Sequence, residues 1–263
     1  MSTTATPVTI DTTRPGIPFG RLVKVELRKM FNTRSGFWLM MSIAIIAIIA
    51  AICVIAFVPN EDLSYGLFSA AFGVPMGVLL PVVAILSVTS EWSQRTGLIT
   101  FTLAPHRASV IGAKAAASVI VAVVSVAFAL ATGAVGNVVG AAINGIDADW
   151  DVAFSDMLYL LLGQVLGLLI GFMLGVLIRN SAGAIVGYFV YSFVIPTILG
   201  ILAELQDWFK DLQPWVDFNT ASAQLFDGSL TGEEWAQLGV SSIPWLILPL
   251  GLGVWAVLRS EVK

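Results

Sequence analysis

The stretch TSEWSQRTGLITFTLAPHRASVIGAK, residues 89–114, decides how the rest of the chain is laid out. It is a polar segment between two apolar runs that are each long enough to cross a bilayer, so it must lie at one membrane face. It carries three basic residues, Arg95, Arg107 and Lys114, against the single acid Glu91. Because loops rich in lysine and arginine stay on the cytoplasmic side, the sequence predicts that this segment is cytoplasmic.

The composition is typical of an integral membrane protein. Hydrophobic residues make up 57% of the 263 residues and charged residues only 11%, and a soluble domain of this length needs far more polar surface. A single cysteine, Cys53, excludes an internal disulfide, and a single histidine, His106, excludes a clustered zinc or haem site. We therefore expect no metal site. No lysine follows a glycine, so the chain has no nucleotide-binding loop of the G-K-[ST] type and no predicted catalytic residue.

Six apolar segments approach or exceed the roughly 20 residues that a membrane-spanning helix needs. They are 37–58, 67–88, 115–139, 157–178, 184–202 and 238–258. An even number of spans returns the chain to the face on which it started. We therefore predict an all-α membrane protein with six transmembrane helices in a permease domain, residues 37–258, and with both termini in the cytoplasm.

Charge is divided unequally between the two faces of this layout. The cytoplasmic face holds 12 of the 13 lysine and arginine residues with four acids, and the opposite face holds Lys210 with the other 13 acids. This is the positive-inside pattern, and it implies no nucleic-acid partner. The external segment 203–237 is too polar to span and carries tryptophans at helical spacing, which predicts a helix on the outer leaflet. Residues 259–263 form a predicted cytoplasmic tail.

The N-terminal region divides into a tail and a helix. Residues 1–19 are rich in threonine and proline and are predicted to be disordered. Residues 20–36 have the spacing of an amphipathic helix, with an apolar face that includes Leu27 and Phe31. The basic face of this helix consists of Arg21, Lys24, Arg28 and Lys29. Such a helix is held at an anionic inner leaflet by its lysines and arginines, so membrane lipid is an expected partner.

Glycines recur where helices are expected to touch. Gly163, Gly167, Gly171 and Gly175 form a stripe with a four-residue period along the fourth span. We interpret this stripe as a close helix contact within the bundle, with a sliding or dimer interface as the alternative. The shorter pair Gly73 and Gly77 in the second span indicates ordinary helix packing.

The segment 89–114 resembles the coupling loop of type-2 ATP-binding-cassette (ABC) exporter permeases. The resemblance lies in the order of an acid, a basic-Thr-Gly group, a small apolar run, a Pro-x-Arg group and a lone lysine. The matching residues are Glu91, Arg95, Thr96, Gly97, Thr100, Leu103, Pro105, Arg107 and Lys114. The basic helix before the first span resembles the elbow helix of the same family.

The resemblance implies a function and a set of partners. The chain would be the permease subunit of an exporter in a bacterial plasma membrane. It would assemble with a second permease chain, identical or related, and with two copies of an ATPase subunit that binds ATP and Mg²⁺. No cofactor is expected in this chain, which is not itself an enzyme. The nine matching residues would couple the permease to the ATPase.

The substrate path is less determined. No aspartate, glutamate, lysine, arginine or histidine lies in the interior of a span, so a hydrophobic or amphipathic cargo (a drug, lipid or peptide) is favoured. In the family, the second and fifth helices line the path, and proline kinks there suit gating. The candidate path residues are Ser42, Pro75, Pro81, Tyr188, Tyr191, Ser192 and Pro196. A six-span scaffold or channel without nucleotide-driven transport remains the alternative function.

Overall fold

The computed structural model describes residues 17–93 and 106–259, and this part of the chain is helical with no strands. Six of its helices are long and apolar enough to cross a membrane. The chain is thus an all-α, multi-pass membrane protein, which confirms the predicted fold class. In chain order the helices are α1 (Phe19–Asn32), α2 (Arg34–Phe57), α3 (Tyr65–Ser93), α4 (Arg107–Asn144), α5 (Phe154–Ile178), α6 (Ser181–Leu205), α7 (Asp207–Val216), α8 (Phe218–Ala223) and α9 (Gly232–Arg259).

The third spanning helix is much longer than its apolar run. Helix α4 has 38 residues and is therefore about 57 Å long, against about 30 Å of hydrocarbon. It begins at Arg107, so Arg107 and Lys114 lie on a helix rather than in a loop. Helix α3 likewise continues to Ser93. Two parts of the predicted loop, residues 89–93 and 107–114, are therefore helical, and residues 94–105 lie outside the described residues.

Several helix ends are fixed by local hydrogen bonds. The hydroxyl of Thr33 accepts from the main-chain N–H of Gly36 at 3.1 Å at the start of α2. Helix α4 ends at Gly145, whose φ of 66° lies in the left-handed region that glycine adopts without strain. Helix α9 begins with a capping box in which Thr231 and Glu234 each accept from the other's main-chain N–H.

Two of the spanning helices contain a π-turn beside a proline. In α6 the turn covers Val190–Val194 and precedes Pro196, and in α9 the turn Ile243–Ile247 contains Pro244. Proline has no N–H and its ring clashes with the preceding turn, so a local widening of the helix accommodates it. These helices are therefore irregular at mid-length.

Helix α3 lies at the centre of the bundle. It packs against α2, α4, α5 and α6, and its contact with α5 is the most extensive in the described chain. At Gly171 of α5, an added Cβ would lie 2.6 Å from the carbonyl oxygen of Pro81 on α3. At Gly175 it would lie 3.3 Å from the Ile85 backbone. These two glycines of the stripe let the α3 and α5 backbones meet.

The other two glycines of the predicted stripe, Gly163 and Gly167, do not contact the α3 backbone. A Cβ at Gly163 would meet the ring of Phe226 at 2.8 Å, which is a contact with the segment after α8 rather than with a neighbouring spanning helix. A Cβ at Gly167 would meet no atom within 4 Å, and the same holds for Gly73 and Gly77. The prediction of helix packing at Gly73, Gly77 and Gly167 is wrong, because these glycines border a cavity.

Candidate functional sites

Four charged side chains, three of them buried, form a cluster that joins three helices. We call it the charge network, and it consists of Glu26 and Lys29 of α1, Glu91 of α3 and Lys114 of α4. The Lys114 ammonium donates to Glu26 Oε2 at 2.6 Å and lies 3.0 Å from Glu91 Oε1. Lys29 Nζ bridges the same carboxylates, at 2.8 Å from Glu26 Oε1 and 2.9 Å from Glu91 Oε1. Each carboxylate thus meets both ammonium groups.

Burial makes this cluster energetically important. Lys114 is 4% exposed, Glu91 3% and Glu26 6%, and charges so removed from solvent are tolerated only when they are paired. Lys114 also donates to the main-chain oxygen of Ser87 at 3.0 Å. Burial alone lowers the pKa of Lys29, but its bonds to the two carboxylates outweigh this and leave the pKa raised. Lys29 is therefore held in its charged form at neutral pH.

The charge network lies beside the predicted coupling loop. Glu91 is two residues from the end of α3, and Lys114 is two turns into α4, so the network holds both helices that flank residues 94–106. We call this end of the bundle the network end. Glu91 and Lys114 were expected to contact a partner, but their side chains are buried against α1 instead. Six of the other expected coupling residues lie outside the described residues: Arg95, Thr96, Gly97, Thr100, Leu103 and Pro105.

Arg107 is the remaining expected coupling residue. Its guanidinium donates to the main-chain oxygen of Val257 at 3.1 Å, which ties the start of α4 to the end of α9. The residue is half-buried. Arg107 is thus positioned at the base of the loop by the last spanning helix.

Helix α1 divides its residues much as the sequence predicts. Leu27 packs against the main core, and Arg21, Lys24 and Arg28 are exposed. Phe31 was expected on the apolar face but is 52% exposed. Glu26 was not identified as functional from the sequence. Its position between Val23, Leu27 and Met30 on an apolar face was the available signal, since a carboxylate there needs a buried cation.

A cavity of about 560 Å³ lies at the opposite end of the bundle. We call this end, with its connections 58–64, 145–153 and 206–231, the cavity end. The cavity is bounded by the first halves of α3 and α5, by the middle of α6 and by residues 218–228. On α3 its wall runs from Gly66 to Gly77, a rise of about 17 Å. It therefore reaches roughly half-way through a 30 Å hydrocarbon layer.

The cavity is closed toward the network end by helix packing. Below Gly77 and Ile170 come the Pro81–Gly171 and Ile85–Gly175 contacts described above. Leu80, Ile85 and Leu168 beside them are fully buried. The cavity is therefore a pocket that opens at one end of the bundle and not a continuous channel.

Three of the seven candidate path residues line this cavity, namely Tyr188, Tyr191 and Ser192. The other four do not line it. Pro81 is buried in the contact between α3 and α5. Ser42 donates to the Leu39 main-chain oxygen on α2, and Pro75 and Pro196 shape their own helices. Sequence position alone did not separate a proline that bends a helix from a side chain that faces a cavity.

The π-turn of α6 arranges one wall. In this turn the Ile195 N–H bonds to the Val190 oxygen, so the Tyr191 carbonyl loses its usual α-helical donor. Asn219 of α8 replaces that donor through Nδ2 at 3.3 Å. The Tyr191 hydroxyl is buried without a hydrogen-bond partner among the described residues. Asn219, Ser222 and Phe226 also line the cavity and were not singled out from the sequence, because they lie in a segment expected to rest on the outer leaflet.

Other polar groups of the wall are bonded to helix backbone. Gln164 donates from Nε2 to the Gly73 main-chain oxygen at 3.1 Å, and the Tyr188 hydroxyl donates to that of Gly77. Both bonds join α3 to another helix of the wall. The cavity thus combines fixed, uncharged polar groups with glycine and aromatic surface, as binding sites for organic molecules do.

The sequence matches no known protein family, and no curated protein is significantly similar to it.

Proposed function

We propose that this chain is the membrane-spanning permease subunit of an ABC exporter, powered by a separate ATPase. The observation that carries the proposal is the charge network, because it joins the basic helix α1 to both helices that flank residues 94–106. A loop that transmits force needs rigid supports on both sides. The paired charges of Glu26, Glu91 and Lys114, which are buried, with Lys29 at their exposed side, resist separation, since pulling them apart would leave unpaired charge in a low-dielectric region.

The cavity supports the same proposal from the other end of the bundle. Helix α3 contributes Glu91 to the charge network and Gly66–Gly77 to the cavity wall. A displacement of the loop that moves α3 along or across α5 would therefore change the cavity and the Pro81–Gly171 contact that closes it. Such a link between a cytoplasmic loop and a membrane cavity is what nucleotide-driven transport requires.

The proposed assembly has two permease chains and two ATPase chains. Six spans are half of the usual complement of an ABC exporter, and the sequence contains no nucleotide-binding loop. We propose a bacterial plasma membrane as its location and a hydrophobic or amphipathic molecule as its cargo. The alternative, a six-span scaffold or channel, needs no ATPase. Co-purification of an ATPase with the chain therefore distinguishes the exporter from this alternative.

The test is purification of the tagged chain from its native membrane, with co-purification of the ATPase, ATP hydrolysis by the complex and transport per ATP hydrolysed as the readouts. Leu103→Asp would bury an unpaired charge against the ATPase, so we expect the ATPase to be lost. Arg107→Ala should retain the ATPase but lower transport per ATP hydrolysed, because the loop loses its tie to α9. Lys210→Ala, at the cavity end, is the matched control. Unchanged co-purification and hydrolysis in Leu103→Asp would refute the coupling function of the loop.

A further inference from the structure

The rim of the cavity carries negative charge. Asp156 and Asp227 line the cavity together with residues of all four walls, and among the described residues no lysine, arginine or histidine lines it. One Asp156 oxygen caps the start of α5 through the Ala153 N–H at 3.1 Å. Asp227 is exposed. A ligand at the rim would thus meet two carboxylates and no competing cation from the wall.

The surroundings add to this field. Within the described residues, the cavity end holds 13 acidic side chains, of which Asp217 is buried, and a single basic one, Lys210. A surface so unbalanced raises the local concentration of cations and repels anions, the more so where low-dielectric walls focus the field. Membrane topology explains why basic residues are rare on this face, but it does not require 13 acids there. The cavity therefore opens into a region that attracts positive charge.

The interior offers aromatic and apolar surface rather than further charge. Tyr188, Tyr191, Phe218 and Phe226 line it, and aromatic faces attract organic cations by electrostatic interaction with the ring. Gly73, Gly77 and Gly167 leave the opposite surface without side chains. A volume of about 560 Å³ is within the usual range for a site that encloses a small organic molecule.

We infer that this cavity binds amphipathic organic cations, with the apolar body between the aromatic and glycine walls and the positive charge toward Asp156 and Asp227. The inference rests on the proposed function in that it names the substrate class of the exporter. It narrows the expectation from the sequence, where no charged group in a span selected a cation or an anion. The selecting carboxylates lie at the start of α5 and after α8, outside the apolar runs, and folding brings them to one rim.

Binding of tetraphenylphosphonium to the purified chain in lipid nanodiscs tests the inference. The uncharged comparison is triphenylphosphine oxide, and empty nanodiscs give the lipid background. We expect saturable binding of the cation and at least tenfold weaker binding of the neutral compound. The double variant Asp156→Asn/Asp227→Asn should weaken cation binding by about tenfold at low ionic strength and by less at high salt. Asp211→Asn, which changes an exposed acid of α7 that does not line the cavity, is the matched control.

A steric variant tests the location independently. Gly167→Leu adds a side chain at a position that lines the cavity and where a Cβ meets no atom within 4 Å, so we expect it to occupy cavity space and binding to be lost. Gly200→Leu adds the same side chain at another open position, on α6 and outside the cavity, and should bind normally.

Equal binding of the cation to all variants, or equal binding of the charged and neutral compounds, would overturn the inference. If Gly167→Leu is not recovered folded, the aspartate variants decide alone. The assay uses no ATPase. If the chain binds the cation but no ATPase co-purifies with it, only the exporter proposal is refuted. If an ATPase co-purifies but the cation does not bind, only the ligand class is refuted.

Discussion

Lys114→Met removes the most buried cation of the charge network and keeps a side chain of similar length. The Glu26 and Glu91 carboxylates, 6% and 3% exposed, would then lose the more buried of the two cations that bridge them and keep Lys29, whose side chain is 42% exposed. Breaking a buried ion pair by removing one partner costs about 3–5 kcal/mol, because the remaining charge is left uncompensated. With a shift of about 2–4 °C per kcal/mol for a chain of this size, the melting temperature should fall by roughly 10 °C.

Thermal unfolding in detergent, followed by size-exclusion chromatography of the heated sample, measures this change. Lys210→Met is the matched control, because Lys210 is exposed at the cavity end, and its melting temperature should stay near that of the wild type. The triple variant Lys114→Met/Glu26→Gln/Glu91→Gln removes the uncompensated charges as well and should recover most of the loss. A Lys114→Met protein that melts with the control, or a triple variant no more stable than the single one, would refute the buried-charge reasoning.

Three further predictions concern packing, an unpaired hydroxyl and topology. Gly171→Ala should destabilise the protein by about 1–3 kcal/mol, because its Cβ would clash with the α3 backbone, while Gly167→Ala on the same stripe should be neutral or slightly stabilising; equal melting temperatures would contradict this. Tyr191→Phe removes a buried hydroxyl that has no described partner, so the melting temperature should rise by a few degrees, and a fall would indicate a partner for that hydroxyl. In a background without the native cysteine, an impermeant thiol reagent added outside cells should label a cysteine at Asp149 and spare one at Thr96; the reverse would invert the topology.

The six spans could be predicted because each depends on a local property, namely a run of apolar residues long enough for the bilayer. The charge network could not be predicted in the same way. Glu26, Glu91 and Lys114 are far apart in the chain. The local sequence around each of them indicates only a polar residue near the end of an apolar run. The sequence interpretation placed Glu91 and Lys114 in a loop, but α3 and α4 continue past the apolar runs and bring both side chains against α1.

The cavity was only partly foreseen, for a related reason. Tyr188, Tyr191 and Ser192 were proposed as path residues because they are polar groups in the fifth span. Glycine spacing predicts that one face of a helix has no side chains. It does not predict whether that face packs against another backbone or borders a cavity. Gly171 meets Pro81 while Gly167, one turn away, meets open space. The difference depends on how closely the α3 backbone approaches each turn of α5, which is a tertiary feature.

We propose that nucleotide hydrolysis by a partner drives transport through this chain. The most direct test is accumulation of amphipathic compounds (cationic, neutral, lipid and peptide) in proteoliposomes that contain the chain with its co-purified ATPase. We expect accumulation that requires ATP, faster ATP hydrolysis in the presence of the transported compound, and loss of both in Leu103→Asp. Flux through the purified chain alone, unchanged by ATP and by Leu103→Asp, would contradict it and identify a channel.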